Sequence, residues 1–172
     1  LRNAILGLII GIMLGGVFAF IYESFDTSIG TIEDVEAVLD VPVVGVIPNI
    51  DTGNVNGYLK EKYNPANENQ LGIYRTLISH FMPKSIAAES YRFLRTAAIS
   101  ICEEKNMKSI MITSSSMNEG KTLIAINLGL TMAQVGKRVL LIDADFRNPA
   151  LHYYFGLEKE PGLADAILGN SP

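Results

Sequence analysis

The chain has 172 residues, a formal net charge of −4 and a mean hydropathy of +0.24. Because no basic stripe accompanies this slightly acidic balance, the sequence excludes nucleic acid as a partner class. A single cysteine, Cys102, excludes an internal disulfide framework and is typical of a reducing cytosol.

The first predicted element is an apolar helix that runs from Ala4 to Tyr22 without a charged residue. These nineteen residues would span roughly 28 Å as a helix, close to the hydrocarbon thickness of a bilayer. We therefore predict a transmembrane helix here; a signal peptide is the alternative, but no small-residue cleavage site follows. Arg2 alone would place the N-terminus in the cytosol by the positive-inside rule, so the orientation depends on the function of the remaining chain.

Three weaker patterns follow the apolar helix. Thr31 and Asp34 form a capping-box variant that predicts a short helix to about Leu39. Residues 40–48 predict an extended segment bounded by two prolines. Residues 49–70 lack an apolar period and are predicted to be a polar linker.

A second amphipathic helix is predicted from Ser85, its N-cap, to about Ile101. Glu89, Arg92 and Arg95 lie three residues apart and form a charged ridge on it. From spacing alone the ridge is a solvated face with one ion pair, and the alternative is a self-association surface. The apolar residues on the predicted core face are Tyr91, Leu94, Ala98 and Ile101.

The most informative segment is 109–122, in which a short apolar run leads through a polar loop into Gly-Lys-Thr. That layout is typical of a nucleotide-binding P-loop, although Ser115 replaces the first glycine of the pattern. Backbone N–H groups of such a loop, together with the positive end of the following helix, bind phosphate oxygens. The predicted nucleotide contacts are Ser115, Ser116, Asn118, Glu119, Gly120, Lys121 and Thr122.

Two of these residues have specific predicted roles. Lys121 is expected to reach the β- and γ-phosphates, and the Thr122 hydroxyl is expected to bind Mg²⁺.

A second acidic motif follows after a helix predicted over residues 120–134 and a stop at Gly136. Residues 139–143 predict a buried parallel strand, which completes a βαβ unit with the strand before the loop. Because parallel strands end at the same crevice, Asp143 and Asp145 are expected beside the P-loop, where Mg²⁺ sits. The alternative for Asp143 is that it only terminates the strand.

The order of these motifs resembles the bacterial tyrosine autokinases of capsule and exopolysaccharide synthesis, which are joined to chain-length-determinant membrane proteins. Residues 113–122 resemble their Walker A loop, and residues 139–147 resemble their Walker A′ motif, D-x-D-x-R. Residues 89–95 match their E-x-x-R-x-x-R helix. Residues 26–48 are similar to the juxtamembrane segment, and residues 161–168 to the short helix after Walker A′.

The resemblance implies an α/β fold, a P-loop NTPase-type parallel sheet with flanking helices, preceded by one transmembrane helix. Residues 1–25 would be that helix, the second span of the intact protein. Residues 26–82 would be the juxtamembrane segment and linker, and residues 83–172 would be the N-terminal part of the kinase domain. The family has a Walker B strand and a tyrosine-rich tail that no segment here matches. We therefore expect a C-terminally truncated fragment, inactive alone, with an earlier span upstream of Leu1.

The resemblance also implies a tyrosine autokinase that uses ATP and Mg²⁺, with Lys121, Asp143 and Asp145 as catalytic residues. Thr122, Asp145 and Asp143 would bind the metal, and Arg147 would bind phosphate or pair with an acid at a subunit interface. The charged ridge would join ring-like homo-oligomers. Implied partners are the membrane, the polysaccharide polymerisation and export machinery and a tyrosine phosphatase. The protein would lie in the bacterial inner membrane with the P-loop in the cytoplasm.

Two other functions remain open at this point. A partitioning-type ATPase would carry a signature lysine where this chain has Ser116, which disfavours that class. A polysaccharide co-polymerase could instead use ATP binding only as an assembly switch. Met117 and Asn118 also replace the family's usual Pro-Gly, although Asn tolerates a left-handed backbone.

Overall fold

The computed structural model describes residues 2–24, 31–50 and 52–170. The chain divides into two compact units, Leu1–Val43 and Val44–Pro172. The first unit contains the helices α1 (Arg2–Ser24) and α2 (Ile32–Leu39). The helices of the second unit are α3 (Thr52–Tyr63), α4 (Glu68–Thr76), α5 (Ile78–Phe81), α6 (Ile86–Glu104), α7 (Lys121–Gln134), α8 (Leu151–Phe155) and α9 (Leu163–Leu168).

The apolar N-terminal segment forms a helix, as predicted. Its apolar side chains, among them Leu8, Ile12 and Phe18, are exposed. Among the described residues, no helix combines the length and the apolarity that a membrane crossing requires. The membrane placement of α1 therefore stays a prediction.

The short helix α2 is stabilised at both ends by the residues that the sequence indicates. Thr31 Oγ1 accepts a hydrogen bond from Asp34 N at 3.2 Å, and Asp34 Oδ2 accepts one from Thr31 N at 3.1 Å. This pair is the predicted capping box. Asp40 ends the helix in the left-handed region, with φ of 53°. Residues 41–50 then lie in neither helix nor strand.

The prediction of a polar linker over residues 49–70 is wrong, because α3 and the start of α4 occupy this range. Val55 and Leu59, one helical turn apart, form a buried cluster with Leu71. The Gly, Asn and Lys residues around these positions leave too few apolar residues for the helical period to be recognised in the sequence. Aromatic packing extends the cluster, with ring centroids 4.1–5.8 Å apart among Tyr63, Tyr74 and Phe81.

Helices α6 and α7 pack together and confirm the two strongest helix predictions. Ser85 is the N-cap of α6, and its Oγ accepts a hydrogen bond from Ala88 N at 3.1 Å. Tyr91 and Ala98 of the predicted core face are buried. Helix α7 ends at Gln134, and Gly136 with φ of 81° turns the chain away, as its predicted stop requires.

The two predicted β-strands are not formed within the described ranges, where residues 107–113 and 137–145 run without strand pairing. The apolar side chains of Met111, Leu140 and Ile142 are exposed. A pair of short strands is marginal without further strands and covering helices, which explains why the pattern alone does not produce a sheet here. Leu141 still packs on α7, since a Cβ placed on Gly129 would lie 2.9 Å from Leu141 Cδ2.

Candidate nucleotide-binding site

The loop before α7 takes its shape from two residues in the left-handed backbone region. Asn118 has φ of 61° and Gly120 has φ of 85°. Glycine adopts this conformation freely and asparagine tolerates it better than most residues, so both residue types suit their positions. Gly120 is the N-cap of α7, and the helix begins at Lys121. The unpaired N–H groups of the first helical turn therefore lie directly after the loop.

Lys121 bends back over the loop from the first position of α7. Its Nζ donates to Ser114 Oγ at 2.6 Å and to the carbonyl oxygen of Ser116 at 2.8 Å. The Ser114 hydroxyl also donates to the Ser116 carbonyl, at 2.8 Å. Ser114 is a contact that the sequence analysis missed, although the run of three serines before Met117 was a visible signal.

Glu119 closes the other side of the loop. Its carboxylate accepts hydrogen bonds from Ser116 N at 2.9 Å and from Ser115 Oγ at 3.0 Å. The Ser116 amide, followed by the Ser115 hydroxyl, lowers the pKa of Glu119, which is therefore ionised at neutral pH. The Glu119 carboxylate is therefore an anion that already accepts a hydrogen bond from the Ser116 amide. Backbone amides of this kind bind phosphate in a P-loop.

Asp143 organises the turn that leads into α8. Its Oδ2 accepts hydrogen bonds from Ala150 N at 2.7 Å and Leu151 N at 3.0 Å, and its Oδ1 accepts one from Asp145 N at 3.1 Å. Partial burial raises the pKa of Asp143, but the three backbone donors outweigh burial and the net pKa is lowered. These three hydrogen bonds therefore support the alternative, structural role of Asp143.

Asp145 is more exposed than Asp143 and holds the following turn. Its Oδ1 accepts hydrogen bonds from Arg147 N at 3.1 Å and Asn148 N at 2.9 Å. The Arg147 side chain is exposed. Among the described residues, no group of three or more His, Cys, Asp or Glu residues gathers into a metal cluster.

The residues present nevertheless suit Mg²⁺ by their chemistry. A hydroxyl from Thr122 and carboxylates from Asp143 and Asp145 are hard oxygen ligands. Mg²⁺ bound with a nucleotide takes one or two carboxylates and completes its coordination with phosphate oxygens and water. Thr122 and Asp145 would hold the ion. Asp143, the third predicted ligand, already accepts three backbone hydrogen bonds.

A buried amide on α7 connects the candidate site to the preceding helices. Asn127 Oδ1 accepts a hydrogen bond from Ser79 N at 2.9 Å, and its Nδ2 donates to the carbonyl oxygens of Thr76 at 2.6 Å and Leu123 at 2.8 Å. Asn127 has no exposed surface. The sequence pattern did not predict a role for Asn127, whose one signal is an amide inside the apolar pattern of the predicted helix.

The charged ridge on α6 is not one free surface. Arg92 contacts Glu89 and the carbonyl oxygen of Pro83. Arg95 instead contacts α7, donating from Nη1 to the carbonyl oxygen of Thr131 at 3.3 Å. Self-association through Glu89, Arg92 and Arg95 therefore stays a prediction, and Arg95 has a contact within the chain as well.

Comparison with known families identifies the segment that carries the loop. Residues 110–163 match the CobQ/CobB/MinD/ParA nucleotide binding domain family, CbiA. This range includes the P-loop and the D-x-D-x-R motif, and it supports the prediction of a P-loop NTPase-type fold.

Curated relatives are bacterial proteins named for tyrosine kinases or polysaccharide transport. Tyrosine-protein kinase YwqD of Bacillus subtilis is 45% identical over 97 residues, covering 56% of this chain and 41% of the relative. The putative tyrosine-protein kinase EpsB of Ralstonia solanacearum is 32% identical over 163 residues, covering 94% and 20%. Succinoglycan biosynthesis transport protein ExoP of Rhizobium meliloti is 27% identical over 176 residues, covering 96% and 22%. The chain therefore spans less than half the length of each.

Solved structures give the same result. The BceF tyrosine kinase domain superposes with a TM-score of 0.67 at 29% identity, covering 84% of this chain and 55% of that chain. The chimerical protein CapA2B2 superposes with a TM-score of 0.59 at 30% identity, covering 83% and 52%. The chain is thus a relative of the bacterial tyrosine-protein kinases and carries a P-loop nucleotide-binding segment of their fold.

Proposed function

We propose that the chain belongs to a membrane-anchored tyrosine autokinase that transfers the γ-phosphoryl group of ATP to tyrosine and regulates exopolysaccharide or capsule polymerisation and export. The observation that carries this proposal is the loop before α7. There, Lys121 Nζ lies on the loop and the Ser116 amide already holds a carboxylate. The similarity to relatives named as tyrosine-protein kinases supports phosphoryl transfer to tyrosine as the reaction at this loop.

Phosphate binding requires the loop to exchange its internal contacts. The Ser116 N–H would leave the Glu119 carboxylate for a phosphate oxygen, and Lys121 would leave Ser114 for the β- and γ-phosphates. Both contacts are solvent-exposed or partly exposed, so their loss costs little. Lys121 then neutralises charge on the transferring group.

The remaining site residues divide into metal ligands and supports. Mg²⁺, when bound, neutralises charge on the phosphates; Thr122 and Asp145 would hold it. The resemblance implies that Asp143 is catalytic, and such a role would be as the base that accepts the phenolic proton. Its lowered pKa and three backbone donors make it a weaker base than an ordinary aspartate, so we propose that it mainly fixes the turn between 143 and 151.

The cellular setting is part of the same proposal. Helix α1 would lie in the bacterial inner membrane with the P-loop in the cytoplasm, where ATP is available. Exposed apolar side chains along α1 support this placement, since a helix without a polar face is typical of a buried or membrane environment. The name of ExoP, a succinoglycan biosynthesis transport protein, supports partners in polysaccharide synthesis and transport. A ring-like homo-oligomer and an opposing tyrosine phosphatase complete the proposal.

The test uses the complete protein in membranes, incubated with ATP and Mg²⁺ and probed for phosphotyrosine. We expect signal in the parent and none in Lys121→Met, because hydrogen bonds to charged groups of this kind contribute roughly 10- to 100-fold in affinity before any effect on transfer. Lys137→Met is the matched control, since Lys137 is an exposed lysine paired with Glu103. It should leave the signal unchanged.

The assay also separates the second candidate function, an ATP-dependent assembly switch. Persistent phosphotyrosine in Lys121→Met would contradict the proposed mechanism. ATP-dependent oligomerisation without phosphotyrosine in the parent would favour the assembly switch instead.

A further inference from the structure

A cavity of about 490 Å³ lies in the second unit, beside the N-terminal turn of α7. Its wall includes Leu123, which directly follows the predicted Mg²⁺ ligand Thr122. Helix α4 contributes Arg75 and Thr76, and α8 contributes Tyr153 and Tyr154. The volume falls in the range of sites that hold small molecules or one to two side chains.

Arg75 contributes one positive charge to the cavity. Arg75 is half-buried, and among the described residues no carboxylate forms an ion pair with it. Glu68, which also lines the cavity, pairs with Lys60 at 3.1 Å. A half-buried guanidinium without a carboxylate is suited to bind an anionic group that enters from outside.

Two aromatic rings form a second recognition feature on the same wall. The rings of Tyr153 and Tyr154 are 5.4 Å apart between centroids and inclined at 77°. Tyr153 is 46% exposed and therefore open to contact. Tyrosine and arginine together are the residue types that most often dominate peptide and protein recognition.

The cavity is fixed to the helix of the candidate phosphate site. Thr76 and Leu123 both line it, and both carbonyl oxygens accept hydrogen bonds from the buried Nδ2 of Asn127, at 2.6 and 2.8 Å. A ligand in the cavity would therefore keep a constant position relative to the first turn of α7.

We propose that this cavity docks the phosphoryl acceptor, a tyrosine-containing peptide segment with an acidic residue next to the tyrosine. Arg75 binds the acidic side chain, and the Tyr153–Tyr154 pair packs against the peptide. The inference rests on the proposed kinase function and adds the substrate feature that the kinase recognises. The acidic flanking residue is the specific feature of this proposal, because Arg75 has no carboxylate partner in the part of the chain that the structure describes.

The test measures direct peptide binding to the full chain by fluorescence anisotropy, without ATP. The probes are three labelled synthetic peptides: tyrosine flanked by glutamate, tyrosine flanked by lysine, and phenylalanine flanked by glutamate. We expect the first to bind most tightly and Arg75→Gln to weaken it about tenfold or more. Arg138→Gln, which changes an exposed arginine away from the cavity, is the matched control and should not alter binding.

The variants separate this inference from the kinase proposal. Lys121→Met should retain peptide binding while losing nucleotide binding, and urea unfolding of Arg75→Gln checks that its fold is intact. Peptide binding that depends on Arg75, without phosphotransfer, would leave the docking site standing and remove the kinase. Equal affinity of parent and folded Arg75→Gln, or equal affinity for the lysine-flanked peptide, would overturn the docking site.

Discussion

Helix α7 connects a region in which the hydrogen bonds are buried to a loop in which the hydrogen bonds are exposed. Towards its C-terminal half, Asn127 and Thr131 are buried and bonded to α5, α6 or their own helix. At its N-terminal end, Glu119 and Ser116 are bonded to each other in exposed positions. Burial, rather than the number of hydrogen bonds, distinguishes the two regions.

Burial determines which of these contacts a ligand can replace. A buried polar group that loses its partner stays unsatisfied, whereas an exposed group is satisfied by water or by a ligand. The Asn127 network is therefore a fixed support, and the loop before Lys121 is the part that a ligand reorganises.

The largest expected effect comes from removing the buried support. Asn127→Ala leaves Ser79 N–H and the Thr76 carbonyl without their side-chain partner, and we expect a loss of about 2–4 kcal/mol in the free energy of unfolding. Urea denaturation measures this loss. Asn148→Ala is the control: the Asn148 side chain is exposed, and its removal should change stability by less than about 0.5 kcal/mol. Similar small losses for both variants would remove the contrast between the two regions.

Two tyrosines show the same contrast between a hydroxyl with a hydrogen-bond partner and one without, and we expect smaller effects on stability from them. Among the described residues the buried Tyr91 hydroxyl has no hydrogen-bond partner, whereas the Tyr63 hydroxyl donates to the carbonyl oxygen of Phe81 at 3.0 Å. Tyr63→Phe should therefore cost about 1 kcal/mol, and Tyr91→Phe should be neutral or slightly stabilising. A larger loss for Tyr91→Phe, in urea denaturation at pH 7, would show that its hydroxyl has a partner.

The buried phenol also predicts a pH dependence. Burial raises the pKa of Tyr91 to about 12. Between pH 10 and this value, the unfolded chain loses the Tyr91 proton and the folded chain keeps it, so stability falls as pH rises. The urea midpoint of the parent should decline more steeply over this range than that of Tyr91→Phe. Parallel curves would contradict the raised pKa.

The smallest effect concerns the exposed loop. Glu119→Gln weakens the contact that competes with phosphate for the Ser116 amide, so we expect roughly two- to fivefold tighter binding of Mg·ADP. Calorimetric titration measures the affinity, and Glu103→Gln, an exposed glutamate paired with Lys137, is the control. Weaker binding by Glu119→Gln would mean that Glu119 supports the ligand-bound loop instead of competing with it.

Local sequence signals predicted those helices whose first or last residues are capping or stop residues. Thr31 and Ser85 start helices where the capping patterns indicated, because capping depends on residues three or four positions apart. Gly120 starts α7 at the predicted position without a side-chain cap. The stop at Gly136 follows from the same local chemistry.

Features that depend on distant residues were not predictable in this way. Asn127 contacts Thr76, 51 positions away, and Arg95 contacts Thr131, 36 positions away, so spacing along one helix does not reveal either partner. Helix α3 was missed because its buried face consists of few apolar residues among polar ones. The strand predictions for residues 109–113 and 139–143 relied on apolar runs, but a sheet also requires neighbours that cover both faces.

Hydrogen exchange of the full chain, with and without a non-hydrolysable ATP analogue and Mg²⁺, tests whether the loop before α7 binds phosphate. We predict that amides of residues 115–122 exchange at least about tenfold more slowly with nucleotide, because phosphate oxygens accept from them. Amides of residues 126–131, in the buried half of α7, should already be protected without it. Nucleotide binding that leaves residues 115–122 unprotected would contradict the assignment of this loop as the phosphate site.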